Sequence, residues 1–528
     1  MTGLTHIGAA PAGPALTNHS GLTVSGQALT ALRRFPDRVA FSWDGGALRY
    51  DATLDLIGRI QAVLVRRNLP VGGVVAILSD NSAESWCANI AAQALGLGVT
   101  WLHPKGSVAD MIFQIRDCEA VCVIIDAVGH AKRADAIAAD LSPDVVLLAI
   151  GAGDFAPDLI AAAHDHGSAT ARNLATADGL SMIHYTGGTT GQSKGAVRSH
   201  RTAAAFLVYT PLSDWELPAR PRYLGIAPNS HAAGTFIIPT LIRGGQLHLE
   251  RSFDVEKVLS VIERERINCT FVVPSQIYAM LGSPTLDGAD LTSLELVMYG
   301  AAPMSPTRLE EALDRMGPVF SQGYGQTECL PVTSLKREDH DPARPDLLAS
   351  CGFPVSSAEV RLLDDDGQEV APGEAGEICI RSPAALDRYH NRPEQTAETL
   401  AGGWLHSGDI ARKDERGYLT IIDRKKDLII SGGFNVYSRE VEDALGSHEA
   451  VSVCAVIGMP DEKWGERVTA FVILRPEAAA SSEALIAHVK ALKGSVQAPK
   501  QVEFVSELPL TPLGKIDKKR LRASLKPA

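Results

Sequence analysis

From about residue 71, short apolar runs alternate with segments of helical period, and this alternation restricts the fold more than any other feature of the chain. VVAILS (74–79) has the pattern of a buried strand, and SAESWCANIAAQALG follows as a helix with Ser82 as its N-cap. VTWLHP, a helix near 107–117, AVCVIID and VVLLAI continue the series. A second series opens at LSMIHYT (180–186) and runs through RYLGIAP, GQLHLE, the helix DVEKVLSVIERERI, CTFVVP, LELVMYG and the helix SPTRLEEALDRMG. Continuously apolar strands joined through helices imply parallel sheets covered on both faces, so the chain is expected to be of the α/β class. After about 350 the texture changes to short strands with DDG and PGE turns, as in β-hairpins. The last hundred residues look like a separate small α+β unit, with the charged segment DRKKD (423–427) as a linker before it.

At 528 residues the chain exceeds what one hydrophobic core supports, so at least two domains are expected. Its 62 acidic against 50 basic residues give a net charge of −12, which argues against nucleic acid and anionic lipid as partners. The eight cysteines form no CxxC pair and no Cys/His cluster at zinc spacing; buried free thiols and a reducing compartment are the expectation. The N-terminal segment lacks the basic and apolar regions of a signal peptide, and no apolar run reaches the ~18 residues that suggest a membrane span. A cytoplasmic protein is expected.

The loop in HYTGGTTGQSKGAVRSH (184–200) holds glycines, threonines and a lysine between a strand candidate and a helix candidate that begins at Ser199. Backbone N–H groups and hydroxyls in such a loop, helped by a helix N-terminus, suit phosphate oxygens. It is not a Walker A loop, because Ser193 stands before Lys194 where that loop needs glycine. Gly191–Gly195 does spell GxSxG, but a nucleophile elbow places its serine straight off the strand, and Ser193 lies eight residues past Tyr185.

YTGGTTGQSKG resembles the phosphate loop of the AMP-forming acyl/aryl-CoA synthetases, within the adenylate-forming superfamily of luciferases and peptide-synthetase adenylation domains. Further segments match in the family's order: APNSHAAG (227–234), YGAAP (299–303), QGYGQTE (322–328), GGWLHSGDI (402–410), IIDRKKDLIISGGFNVYSREVE (421–442) and PLTPLGKIDKKRLR (509–522). The resemblance implies two doubly wound α/β subdomains and a small β-barrel-like subdomain within a large N-terminal domain (1–424), then a small mobile α+β domain (425–528). It implies ATP, Mg²⁺ and CoA, with a small carboxylic acid converted to acyl-AMP and then to a thioester, and it allows a homodimer. Thr186, Gly187, Gly188, Thr189, Thr190, Gly191 and Lys194 would cradle the β- and γ-phosphates. Gly300, Ala301, Ala302, Gln322, Gly323, Tyr324, Gly325 and Gln326 would form the adenine site. Thr327 would meet the α-phosphate, and Glu328 would hold Mg²⁺. Asp409, assisted by Arg424, would bind the ribose; read alone, Asp409 fits a turn aspartate after Gly408 better. Lys515 would neutralise charge between carboxylate and α-phosphate, a task suited to a flexible point charge. The small domain would then swing about Lys426, bringing Gly432 and Gly433 to line a thiol tunnel, where backbone must approach the ligand closely.

The acyl site implied by the same resemblance comprises His231, Ala232, Ala233, Gly234, Cys329 and Leu330. These positions carry no carboxylate for an amino group, which points to an uncharged hydrophobic acid, aromatic or aliphatic. His231 reads equally as a structural histidine. SVQAPK (495–500) offers few cations for the CoA 3′-phosphate, leaving Lys500 and Lys493, and Trp464 is either a platform for the CoA adenine or a partly buried core aromatic. A carrier-protein acceptor, or a nonenzymatic nucleotide-binding role, are the alternatives.

Overall fold

The computed structural model describes residues 23–186, 193–510 and 516–523. Two large sheets dominate. The first runs, edge to edge, Arg388–Tyr389, Lys194–Ser199, Leu180–Thr186, Gly98–Leu102, Val74–Leu78, Ala120–Asp126 and Val146–Ile150. Its last five strands are parallel, as the apolar runs require. The second contains nine strands, with a parallel centre that includes Cys269–Val272, Leu296–Gly300 and Phe320–Gln326. One apolar core joins the two sheets: Val75, Ile77 and Met182 of the first reach Phe41, Tyr223 and Leu247 of the second through Ile57 and Trp86 on intervening helices. Ser82 caps its helix as expected, its hydroxyl accepting from Ser85 N.

Two expectations change. The helix expected from Ser199 is present, with Ser199 as its N-cap, but the stretch before it, expected as loop, is a strand, Lys194–Ser199, paired antiparallel with Leu180–Thr186. Thr186 stands opposite Lys194 at one end of this strand pair, and the helix His200–Ala204 begins at the other end, where Leu180 pairs with Ser199. Its N-terminus is about five strand residues, roughly 16 Å, from Lys194. The third sheet, Glu359–Leu363, Ala375–Arg381, Leu405–Lys413 and Leu419–Arg424, is an open antiparallel ladder rather than a closed barrel: among the described residues nothing pairs its first strand with its last. Beyond it, the C-terminal unit folds Val451–Asp461, Gly465–Leu474, Gln501–Phe504 and the hairpin Ile429–Ser431/Phe434–Val436 into one sheet backed by the helices Ser438–Gly446 and Ser482–Gln497. Among the described residues no helix is long and apolar enough to cross a membrane.

Candidate active site

Residues from three sheets meet in one region. Tyr324, on the strand Phe320–Gln326, donates its hydroxyl to Asp409 Oδ2 at 2.7 Å. Asp409 lies on the third sheet directly opposite Arg424, whose Nε stands 3.2 Å from Oδ1. The carboxylate is 8% exposed and the guanidinium half-exposed. Asp409 is thus a buried strand residue, not a solvated turn aspartate; Gly408, at φ +71° in the same strand, sits where the pairing with Ala375–Arg381 shifts register, and its N–H donates to Glu377 Oε1. Burial and the facing carboxylate push the Tyr324 phenol well above its ordinary range, which keeps it a donor. Beside this group, Gly300 approaches Gly323 so closely that a Cβ on Gly300 would lie 2.3 Å from the Gly323 carbonyl oxygen. The next residue, Ala301, holds φ +66°, a left-handed conformation that costs a non-glycine residue about 1 kcal/mol. Gly300, Ala301 and Ala302 are the residues expected to line the adenine site. Gln322, Gly325 and Gln326 share the strand of Tyr324.

Thr327 and Glu328 form the two-residue turn of the next hairpin, between Gln326 and Cys329. A Glu328 carboxylate oxygen accepts from the Tyr389 hydroxyl at 2.5 Å, and Lys194 Nζ stands 5.1 Å from the centre of the Tyr389 ring. Tyr389 reaches this place because its two-residue strand pairs with the first sheet at Ala196. Lys194, Tyr389 and Glu328 therefore form one polar edge, with Thr186 across the hairpin from Lys194. Sequence reasoning missed Tyr389, since a two-residue strand in RYHNRPEQT carries no periodic signal; it also missed Arg198, which sits behind Thr327. Gly187, Gly188, Thr189, Thr190, Gly191 and Lys515 lie outside the described residues.

His231 precedes the 3₁₀ turn Ala232–Phe236, its Nδ1 2.9 Å from Ser230 Oγ. The His103 ring meets it edge-on with centres 4.7 Å apart. Burial, with Lys105 and Arg133 nearby, lowers His103 to about 4, so it is neutral and accepts at Nδ1 from the Lys105 N–H. A cavity opens beside His231, bordered by Gly234 and by Trp86, Trp101, Met182, Leu207 and Ile237. Gly234 is required there, because a Cβ would fall 2.0 Å from the Asn229 carbonyl oxygen. Ala232, Ala233, Cys329 and Leu330 do not border this cavity. Ala233 is buried in the shared core, and its carbonyl accepts from Tyr223. Cys329 points the other way along its strand into the core of Ala196, Phe206 and Val332, where burial lifts its thiol to about 11.

In the C-terminal unit, Gly432 and Gly433 turn a hairpin at φ +61° and +80°. Gly432 N donates to the Trp464 carbonyl at 2.7 Å, and a Cβ on Gly432 would touch the indole at 3.0 Å. Lys463 and Lys500 flank that indole at 4.9 and 5.6 Å from its ring centre. Lys426 lies in the short turn Lys425–Asp427 between the third sheet and this unit.

Residues 29–390 match the model of the AMP-binding enzyme family, and residues 440–515 that of the AMP-binding enzyme C-terminal domain. The chain belongs to the AMP-binding enzyme family. Among its relatives in this family, a medium/long-chain-fatty-acid–CoA ligase of Mycobacterium tuberculosis is 43% identical over 86% of this chain and 81% of its own. A feruloyl-CoA synthase of Amycolatopsis is 35% identical over 93% and 96%. Among solved structures of AMP-binding enzymes, an amide bond synthetase of Marinactinospora thermotolerans superposes with a TM-score of 0.88 at 32% identity, over 95% of this chain and 100% of that one.

Proposed function

We propose that this AMP-binding enzyme is an ATP-dependent acid–CoA ligase for an uncharged hydrophobic acid. The observation that carries the reading is the meeting of two groups: Tyr324, Asp409 and Arg424 at a nucleoside end, and Lys194, Tyr389 and Glu328 at a phosphate end. Asp409 would accept from the ribose hydroxyls, held by Arg424, while Tyr324 presents its ring to adenine. Thr186 and Lys194 would hold the outer phosphates and Thr327 the inner one. The carboxylate of Glu328, which accepts from the Tyr389 hydroxyl, is a hard oxygen ligand suited to Mg²⁺, which when bound would supply positive charge against the triphosphate. A carboxylate oxygen of the acid then attacks the α-phosphorus and pyrophosphate leaves; preorganised cations and donors offset the repulsion between the two anions. Lys515 would carry part of that charge. In the second step the thiol attacks the acyl carbonyl carbon and AMP departs with the oxygen that the acid brought. We place the domain boundary at Arg424/Lys425, where the third sheet ends, with a swing about Lys426 between the steps. Gly432, Gly433 and Trp464 would then meet CoA, with Lys463 and Lys500 beside the indole as cations for its phosphates. The free thiols of all eight cysteines support a reducing, cytoplasmic setting.

The apolar part of the wall beside His231, which Trp86, Trp101, Met182, Leu207 and Ile237 form alongside a polar part that includes Asp80, Asn81, Asn89 and His184, and two relatives named for fatty and aromatic acids support a hydrophobic acyl group. The likeness to an amide bond synthetase favours a second reading, in which an amine takes the acyl group. A panel of aliphatic and aromatic acids, assayed for ATP-dependent pyrophosphate release with CoA, with an amine and with neither, tests both. The proposal expects release with an apolar acid and a thioester only when CoA is present. An amide in place of the thioester would favour the second reading, and no pyrophosphate with any acid would sink both.

A further inference from the structure

Among the described residues Arg198 is the largest fully buried side chain. It lies on the strand Lys194–Ser199 and, by the two-residue period of a strand, faces the same side as Lys194 and Ala196. Its Nη2 donates to the backbone carbonyl of Thr327 at 2.6 Å and lies 3.4 Å from that of Ala384. The guanidinium also stacks 4.1 Å from the centre of the Phe206 ring. Among the described residues neither Nε nor Nη1 has a hydrogen-bond partner, although both are buried. Burial lowers its pKa to about 10, against the opposing pull of Cys329, Glu328, Asp387 and Tyr389, and it remains a cation at neutral pH. A buried cation with two idle donors is expensive, and stability alone would favour an apolar side chain of the same volume. What the charge does accomplish is a tie between sheets: a strand of the first sheet grips the Thr327–Glu328 turn of the second across 129 positions of sequence.

We infer that Arg198 is a positioning residue, which by holding the Thr327 carbonyl from the dry side fixes where the Thr327 hydroxyl and the Glu328 carboxylate face a nucleotide. This rests on the ligase reading for the identity of the nucleotide, but not for the grip itself. The test compares Arg198→Met, Arg198→Lys and Phe206→Leu, the last removing the stacking face while leaving the cation. ATP affinity is measured by calorimetry in the absence of acid, amide hydrogen exchange is followed at Glu328 and Cys329, and the pyrophosphate assay gives KM and kcat. Arg198→Met is expected to weaken ATP binding about tenfold and to speed exchange at the turn, as loss of a charged hydrogen bond implies. Arg198→Lys, keeping one donor without the planar fork, should recover part of both, and Phe206→Leu should give a smaller shift of the same kind. A purely structural role predicts otherwise: lower melting temperatures, kcat falling with the folded fraction, and unchanged ATP affinity and exchange at the turn. That pattern in the three variants would overturn the inference; should Arg198→Met fail to fold, the other two decide it. Calorimetry and exchange need no turnover, so a wild-type protein that activates no acid would defeat the ligase reading, while ATP affinity and exchange at the turn would still decide the role of Arg198.

Discussion

Replacing Tyr389 with phenylalanine removes one oxygen and leaves the ring beneath Lys194 intact. The lost group is the donor to Glu328, at a contact of 2.5 Å in a half-buried setting. Burial and the Glu328 carboxylate both raise the Tyr389 phenol, so it stays protonated across the working range and the bond is that of a neutral donor to a charged acceptor. Such bonds are worth about 1.5–3 kcal/mol, or roughly 10- to 150-fold in a rate or binding constant. The cation–π contact at 5.1 Å contributes about 0.5–1 kcal/mol and is unaffected by this change. The loss should therefore fall on the half-reaction that uses Glu328. Pyrophosphate release measured against ATP and magnesium should drop by at least tenfold in kcat/KM, while conversion of supplied acyl-AMP with CoA drops much less. Tyr389→Leu, which also removes the face under Lys194, should be worse by a further few-fold. A Tyr389→Phe enzyme that releases pyrophosphate at the wild-type rate would refute the reasoning. So would an equal loss in both half-reactions accompanied by a lower melting temperature, because that is what a packing defect produces.

Acid should destabilise the fold in a defined window. His103, His184, His200 and His340 are each lowered from 6.5 to about 4, with burial the largest cause. The unfolded chain gains these protons as pH falls through about 6.5 and the folded chain only near 4, so stability is full above that window and declines within it. For the well-buried His200 and His340 the loss is on the order of 3 kcal/mol each; a melting temperature flat from pH 8 to 4.5 would contradict this. Gly234→Ala places a methyl 2.0 Å from the Asn229 carbonyl oxygen, so it should cost at least about 1–3 kcal/mol and raise the KM for the acid through His231; melting curves and acid titrations check both. Trp464→Ala should act on the second half-reaction, raising the KM for CoA about tenfold and lowering the ratio of thioester to pyrophosphate.

Much of the architecture was legible because its strands are buried on both faces and read as plain apolar runs. The stretch 194–199 was not, for a physical reason. KGAVRS places Lys194 and Arg198 where a strand would show apolar residues, and only the tertiary setting, with Tyr389 under one cation and Phe206 under the other, makes those charges tolerable. The motifs singled out Tyr324, Glu328 and Asp409, but not the bond between Tyr324 and Asp409, since these are 85 positions apart and meet only when the second and third sheets do. Tyr389 and Arg198 left no local trace, because their roles come from pairing across the first sheet and from burial behind a turn. Of the residues expected at the acyl site, His231 and Gly234 border a cavity and Cys329 does not; the inward turn of Cys329 depends on strand register, which the hairpin around Thr327–Glu328 sets.

The central claim is that the acid's own oxygen joins the α-phosphorus of ATP before any thiol arrives. An apolar acid labelled with ¹⁸O in its carboxylate, turned over with ATP and CoA and analysed by mass spectrometry of the products, reads this directly. The account predicts one labelled oxygen in the AMP and none in pyrophosphate. Label in inorganic phosphate, or AMP that carries none, would contradict it.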